Sequence, residues 1–154
     1  MRFIYFIFYI NKQFSIFAQI IESMESTIKR QREISVRSAY FEMLRDMKSI
    51  CPMITTEDVI TALMDKQAPR FFTSLPTAQR IISRMFRGIK VHFTNKNKER
   101  MYNEIYRRTL QAIQEGRIKS YVDIEKIIEQ PAPSYYVNRF TMKTIVYKSL
   151  KQKR

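Results

Sequence analysis

The sequence predicts an all-helical fold made of two tandem three-helix repeats that pack together. Only two glycines occur in 154 residues, and no run of alternating apolar and polar residues marks a strand. Hydrophobic residues make up 45% of the chain, a share that excludes a disordered protein. The third observation is an internal repeat, because self-similarity at a fixed spacing indicates one structural unit used twice.

The repeat is clearest around two short aromatic segments. Residues 68–72, APRFF, align with residues 132–136, APSYY, at a spacing of 64, within a longer match that begins at Ile60. Further upstream, Tyr40 aligns with Tyr102 at a spacing of 62. The intervening loops of the two repeats must therefore differ by two residues.

Three helices are expected in the first repeat. Apolar residues at helical spacing predict a long helix over residues 25–50, which the following proline ends. Thr55 is a suitable N-cap for a second helix, and the alanine and proline of the first aromatic segment stop it. Thr73 or Ser74 caps the third helix, and Gly88 terminates it.

The second repeat predicts the same plan. A first helix is expected over residues 96–115, with Gly116 as its terminator. A second helix is expected over residues 120–130, and Asn138 caps the last one. Together these elements define repeat 1 as residues 24–92, and repeat 2, with its basic C-terminal tail, as residues 93–154.

An apolar extension, residues 1–23, precedes the repeats and admits three interpretations. Its Phe, Ile, Tyr, Asn and Lys are the residues that AT-rich DNA encodes, which favours a spurious or disordered extension with Met24 as the natural start. A packed helix is the second interpretation. A membrane anchor is the least favoured, because Lys12 interrupts the segment, and a mid-span lysine costs roughly 2.5 to 3.5 kcal/mol on insertion.

The charge of the chain indicates a polyanionic partner. Lys and Arg number 28 against 14 Asp and Glu, which leaves a net charge of +14. Residues 66–98 contain basic residues and no acidic one, and the same is true of residues 130–154. In the remainder of the two repeats, basic and acidic residues are nearly equal in number. Such a distribution favours DNA or RNA, and an acidic protein partner is a further alternative.

Both basic regions contain a helix with one apolar and one basic face. In the first, Ala78, Ile81 and Ile82 fall on one side, and arginines fall on another. A short capped helix followed by a basic helix is typical of helix-turn-helix domains, in which the last helix enters the major groove of DNA. The predicted nucleic-acid-binding residues are Arg70, Arg80, Arg84, Arg87, Lys90, Arg139, Lys143, Tyr147, Lys148 and Lys151.

The aromatic segments depart from the usual short turn of such domains. Phe71 and Phe72 in repeat 1 match Tyr135 and Tyr136 in repeat 2. These rings could stack on unpaired bases, as in single-strand binders. The favoured alternative is a hydrophobic plug that holds the turn against the helices, because aromatic side chains mostly lie in cores.

With their A-P-x-[FY]-[FY] motif in each repeat, the aromatic segments resemble those of small basic tandem-repeat proteins from gut Bacteroides genomes, phages or mobile elements. The resemblance covers roughly residues 37–150. It implies a duplicated unit and a bacterial or phage cytoplasmic setting. No function is assigned to that group, so the resemblance carries over no catalytic residue.

Other functional classes find little support in the sequence. Cys51 is the single cysteine, which excludes an internal disulfide and fits a reducing cytoplasm. His92 is the single histidine, so no structural zinc site or other metal site is expected. Without a glycine-rich phosphate loop or a paired-carboxylate site, we expect neither a cofactor nor enzymatic activity. The oligomeric state stays open.

Overall fold

A computed structural model describes the backbone of residues 2–152 and the side chains of residues 15–152. Within these residues all regular elements are helical, which confirms the all-α prediction. Residues 153 and 154 of the predicted basic tail, and the side chains of residues 1–14, lie outside the described part. The elements are α1 (Arg2–Ile50), α2 (Thr56–Met64), α3 (Leu75–Phe86), α4 (Lys96–Gln114), a 3-10 turn (Tyr121–Asp123), α5 (Glu125–Ile128) and α6 (Arg139–Lys151).

Side-chain caps fix where the helices begin. At α2, the Asp58 backbone N–H donates to the Thr55 hydroxyl at 3.2 Å, and the Thr55 N–H donates back to the Asp58 carboxylate at 2.9 Å. This reciprocal pair satisfies two backbone donors that the helix itself leaves free. Ser74 caps α3 and Asn138 caps α6, so the predicted helix starts are confirmed at all three positions.

The long helix α1 begins well before residue 25, where the sequence predicted its start. It runs without interruption from Arg2 to Ile50, so the backbone of residues 2–23 is its N-terminal part. The described side chains of this part, residues 15–24, are solvent-exposed and include Phe17 and Ile20. No helix among the described residues combines the length and hydrophobicity that crossing a membrane requires.

The third helix of each half of the chain packs against the other half. In the first group, α1 packs against α2 and both of these contact α6. In the second group, α4 packs against α3 and α5, and α3 also contacts the 3-10 turn. The helices therefore group as α1, α2 and α6 on one side and α3, α4 and α5 on the other, across the sequence boundary at residues 92 and 93.

The chain passes from one group of helices to the other at the two aromatic segments, which lie against each other. The Ala68 N–H donates to the Ala132 carbonyl at 2.9 Å, and the Ala132 N–H donates to the Ala68 carbonyl at 2.9 Å. Beside this reciprocal pair, the Phe71 N–H donates to the Ile128 carbonyl at 2.9 Å. The two alanines are equivalent in the alignment of the two repeats. Each aromatic segment is therefore hydrogen-bonded to its counterpart in the other repeat.

A single hydrophobic core connects the two groups of helices. Equivalent residues occupy it on both sides: Tyr40 and Tyr102 are both buried, as are Ile82 and Val146. The Tyr102 hydroxyl and the buried Thr73 hydroxyl form a hydrogen bond of 2.8 Å, which removes the cost of an unpaired buried phenol. The core therefore fixes α3 and α6 by their apolar faces and leaves their other faces for solvent.

Candidate nucleic-acid interface

The outer face of α3 is basic from Arg80 to the C-terminal end of the helix. Its inner face holds the buried side chains Ala78, Ile81 and Ile82, so the opposite side is turned to solvent. Arg80 and Arg87 on that side are exposed, and Arg84 between them is half-buried. The exposed Lys90 follows the end of the helix. We call Arg80, Arg84, Arg87 and Lys90 the α3 basic face.

The α3 basic face carries uncompensated charge. Among the described residues, no carboxylate forms an ion pair with any of its four cations. The one hydrogen bond from this face is internal to its helix, since Arg87 Nε donates to the Ser83 carbonyl at 3.3 Å. Guanidinium groups in this state can form bidentate, charge-assisted hydrogen bonds to an anion without first breaking a salt bridge.

The corresponding region of α6 is different, because Glu57 of α2 lies against it. The Glu57 carboxylate accepts from Arg139 Nη2 at 3.0 Å, pairs with Lys143 Nζ at 2.9 Å and accepts from the Tyr147 hydroxyl at 3.2 Å. Hydrogen bonds from Lys143 and Arg139 lower the pKa of Glu57, so this carboxylate stays ionised at neutral pH. Although residues 130–154 contain no acidic residue, the cations of α6 are therefore not all without a carboxylate partner.

Sequence reasoning missed Glu57 because the contact joins residues far apart in the chain. Arg139 follows Glu57 by 82 positions, and α6 approaches α2 only because it packs against the opposite half. Counting charges within residues 130–154 could not reveal a carboxylate supplied by α2. The missed signal is the acidic first turn of α2, which contains Glu57 and Asp58.

The matching caps show which residues of the two helices are equivalent. Since Ser74 and Asn138 occupy the same position at a spacing of 64, each residue of α3 has a counterpart in α6. By this register Arg84 corresponds to Lys148 and Arg87 to Lys151, both of which are exposed and without an ion pair among the described residues. Arg139, Lys143 and Tyr147 correspond instead to Leu75, Gln79 and Ser83.

The middle one of these three positions contacts a neighbouring helix or turn in both groups. In the α3 group, Gln79 Nε2 donates to the Val122 carbonyl of the 3-10 turn at 2.9 Å. In the α6 group, the same side of the helix holds Glu57 through Lys143. At the positions equivalent to Arg80, Arg84 and Arg87 of α3, α6 therefore carries Thr144, Lys148 and Lys151, all of them exposed.

Arg70 occupies a different environment from the rest of the predicted set. It is half-buried beside a surface depression that Glu125 and Glu129 also line, and its Nε lacks a hydrogen-bond partner. It does not lie on α3, and the nearby carboxylates reduce the local positive potential. The structure therefore separates Arg70 from the α3 basic face.

The aromatic pairs stack on each other at the crossing. Phe71 and Tyr136 lie with ring centroids 6.2 Å apart, and Phe72 and Tyr135 lie 5.9 Å apart. Phe71 is fully buried and Tyr135 is 4% exposed, so neither offers a free ring face to a base. The Tyr135 hydroxyl forms a hydrogen bond of 3.1 Å with Ser35 of α1, which anchors that ring to the long helix.

Arg108 reinforces this crossing, and sequence reasoning did not single it out. Its guanidinium lies 5.1 Å from the Phe71 ring centroid, donates to the Pro131 carbonyl at 2.8 Å and pairs with Glu104 at 2.7 Å. The cation thus contacts the first aromatic segment and the proline that directly precedes the second one. Basic residues of α4 therefore help to hold the fold, in contrast to those of the α3 basic face.

Comparisons with protein-family models, curated proteins and solved structures found no match. Groups of three or more His, Cys, Asp or Glu side chains that could hold a metal ion do not occur among the described residues.

Proposed function

We propose that this protein binds nucleic acid, with duplex DNA as the favoured ligand, and that the α3 basic face supplies the main contact. The proposal includes a role as a regulator or accessory factor of a phage or mobile element, in a reducing cytoplasm that the single cysteine supports. The observation that carries it is the absence of any ion-pair partner for the four cations of this face among the described residues.

The chemistry of the face suits phosphate groups. Successive arginines at Arg80, Arg84 and Arg87 repeat at helical spacing along one side of α3, so their side chains can follow a phosphate backbone. The strong excess of positive charge over the whole chain would steer a polyanion towards this face and raise the association rate.

We further propose that the fold consists of two helix-turn-helix-like tri-helical repeats, each completed by the third helix of the other. This proposal is supported by the matching caps at Ser74 and Asn138 and by the reciprocal hydrogen bonds between Ala68 and Ala132. The connection before each third helix runs through an aromatic segment. It therefore crosses to the opposite group instead of folding back on its own second helix.

The test is binding of the full chain to labelled duplex DNA over a salt series. Replacing Arg80, Arg84 and Arg87 by Gln should weaken binding and make the plot of log affinity against log salt shallower by about 2 to 3 units, since each phosphate contact contributes about 0.9. The matched control replaces Arg45, Arg107 and Arg117, each of which has a carboxylate partner, and removes the same net charge. Equal losses in the two variants would contradict the proposal.

Single-stranded DNA and RNA form the other arms of the same experiment. A preference for a single strand would favour the alternative of an RNA or single-strand binding accessory protein. The phosphates of a single strand suit the same cations. No binding to any nucleic acid, even at low salt, would reject the proposal. The α3 basic face would then be expected to bind an acidic protein.

A further inference from the structure

Exposed apolar side chains concentrate in the N-terminal part of α1. Among the described residues, twelve large hydrophobic side chains are exposed, and five of them fall within residues 16–24. Phe17 is the most exposed of these five, with 65% of its surface accessible. We call residues 15–27, whose side chains are all exposed, the α1 arm. A contiguous apolar surface of this kind marks an interaction site on a globular protein.

The rest of its own chain does not cover the α1 arm. No hydrogen bond or ion pair joins the described side chains of residues 15–23 to another helix. Met24 borders Leu75 of α3 and is still 36% exposed, and full burial in α1 begins only at Val36. Most helical stability in proteins comes from packing of an apolar face, so the arm is expected to pack against a partner.

The apolar residues of the α1 arm follow the spacing of a coiled coil. Phe17, Ile21, Met24 and Ile28 succeed one another at intervals of four, three and four. Because α1 is continuous, these positions fall along one side of the helix. In the sequence, the same alternation extends to four earlier positions, whose side chains lie outside the described part: Phe3, Ile7, Ile10 and Phe14. Apolar residues at such intervals over several heptads indicate a coiled coil.

The alternation ends where α1 joins the core. Gln31 and Ser35 hold the next two positions of the series, and both are polar. From there, Val36 and Tyr40 turn a different side of the helix into the core of the protein. The helix thus has two apolar sides in succession, of which the chain itself covers only the second.

The charge of the α1 arm fits a second copy of this chain as the partner. Residues 13–28 contain Glu22 and Glu25 and no Lys or Arg, whereas the whole chain carries a net charge of +14. Helices that lie on an anionic membrane carry Lys or Arg on their polar face, and nucleic acid likewise requires cations. Since the surplus positive charge lies elsewhere, two copies meet least repulsion when they approach through their arms.

The positions beside the apolar series agree with self-association. With Ile21 at heptad position a and Phe17 and Met24 at d, the flanking positions e and g hold Ala18, Ile20, Glu25 and Thr27. Charges at e and g positions select the partner of a coiled coil. Only Glu25 is charged among these four, so no chain with a complementary charge pattern is required. An identical helix supplies the same apolar side chains along its whole length.

We propose that two copies of this chain pair through their α1 arms in a coiled coil, with Phe17, Ile21 and Met24 between the two helices. The arm contains no residue of the α3 basic face, so the pairing goes beyond the proposed function and does not depend on it. A dimer would present two α3 basic faces on one particle. Two such faces can engage one long duplex at once and raise the overall affinity without any new contact.

The experiment is analytical ultracentrifugation of the full chain, freed of nucleic acid, over a series of protein concentrations. The mass should rise from one chain to two as the concentration increases. Phe17→Glu with Ile21→Glu places carboxylates between the paired helices and should weaken pairing by at least about 100-fold. The control, Ser15→Glu with Gln19→Glu, adds the same charge on the opposite side of the helix and should leave pairing unchanged. All four positions are outside the core, so both variants should keep the melting temperature of the core.

Salt separates this pairing from nucleic-acid binding. Added salt screens the repulsion between two positively charged copies, so the dimer should become tighter. Binding to duplex DNA should become weaker over the same salt series, because phosphate contacts release counterions. A monomer that binds duplex DNA would overturn the pairing alone, and a dimer that binds no nucleic acid would overturn the proposed function alone.

Three results would overturn the inference. The first is the mass of one chain at every protein and salt concentration. The second is equal dissociation in the control variant, which would indicate an effect of charge alone. The third is a monomer that binds phosphatidylcholine vesicles and loses this binding with Phe17→Glu and Ile21→Glu. The α1 arm would then be a helix that lies in a membrane surface.

Discussion

The two basic helices α3 and α6 begin at equivalent capping positions and bury equivalent residues, yet they present different surfaces. The outer face of α3 carries three arginines without an ion pair among the described residues. Three of the predicted binding residues of α6 contact Glu57 instead. A stretch of basic sequence therefore keeps unpaired cations only where the fold supplies no carboxylate to them.

The ion pairs of α6 come from one position in its packing partner. Glu57 of α2 corresponds to Tyr121 of the 3-10 turn at the spacing of 64, so a carboxylate in one group stands where the other has a phenol. Tyr121 packs its ring at 5.5 Å from Phe86 of α3. One group thus uses this position for an ion pair, and the other uses it for apolar packing.

The largest expected effect is on the stability of the separate halves, because α3 and α6 each pack against the opposite half of the chain. Separate fragments of residues 24–92 and 93–154 should each lack a cooperative thermal transition as monomers, because each exposes apolar faces that the other's third helix covers. Mixing them should restore the transition. The measurement is thermal unfolding followed by circular dichroism, together with a size analysis that shows whether each fragment is a monomer.

A cooperative monomeric transition in either fragment alone would contradict this view. It would mean that α3 or α6 can fold back on its own half. Homodimers of residues 24–92 would agree with the crossing, because two identical aromatic segments could then pair as residues 68 and 132 do.

A smaller effect is expected from Glu57→Gln, which should give α6 unpaired cations in addition to Lys148 and Lys151. The change leaves Arg139 and Lys143 without their carboxylate and frees both for phosphate contact. We expect tighter duplex binding and a salt slope that is steeper by about 1 to 2 units. Glu115→Gln is the control, since Glu115 pairs with Arg117, away from both basic helices. An equal gain in the control would show that only net charge matters.

The smallest expected effect is a pH dependence that belongs to α6 and not to α3. The folded-state pKa of Glu57 is lowered from its ordinary value of 4.5 by Lys143 and Arg139, so its stabilising contribution is complete above that value. The contribution is lost as the pH falls through the lowered pKa. The difference in melting temperature between the wild type and Glu57→Gln should shrink as the pH falls below about 4.5.

A difference that stays constant down to about pH 3 would count against this account. Arg139 and Lys143 would then stabilise α6 without the charge of Glu57. Variants of the α3 basic face serve as the comparison, because the described residues provide no carboxylate there to titrate.

Local structure was predictable from the sequence because it depends on neighbouring residues. Thr55, Ser74 and Asn138 cap their helices as predicted, and Gly88 and Gly116 adopt the positive φ values of 69° and 68° expected at helix ends. The predicted helix over residues 120–130 is instead a 3-10 turn followed by the short α5. Ser120 caps the turn by accepting from the Val122 N–H at 3.2 Å.

The arrangement of the helices could not be predicted in the same way. A repeat in the sequence shows that two units are alike, and it does not show which third helix packs on which pair. The contact between Ala68 and Ala132, and that between Arg139 and Glu57, join positions far apart in the chain. The α3 basic face could be predicted because its arginines lie opposite apolar residues of the same helix.

The exchange of third helices also determines when α1 and α2 can become covered during synthesis. When α1 and α2 leave the ribosome, α6, the helix that covers them, has still to be made. At about 5 to 20 residues per second, the 62 residues from 93 to 154 take roughly 3 to 12 s to add. During that interval the apolar faces of the first half stay uncovered. The nascent chain should therefore engage holding chaperones until α6 emerges.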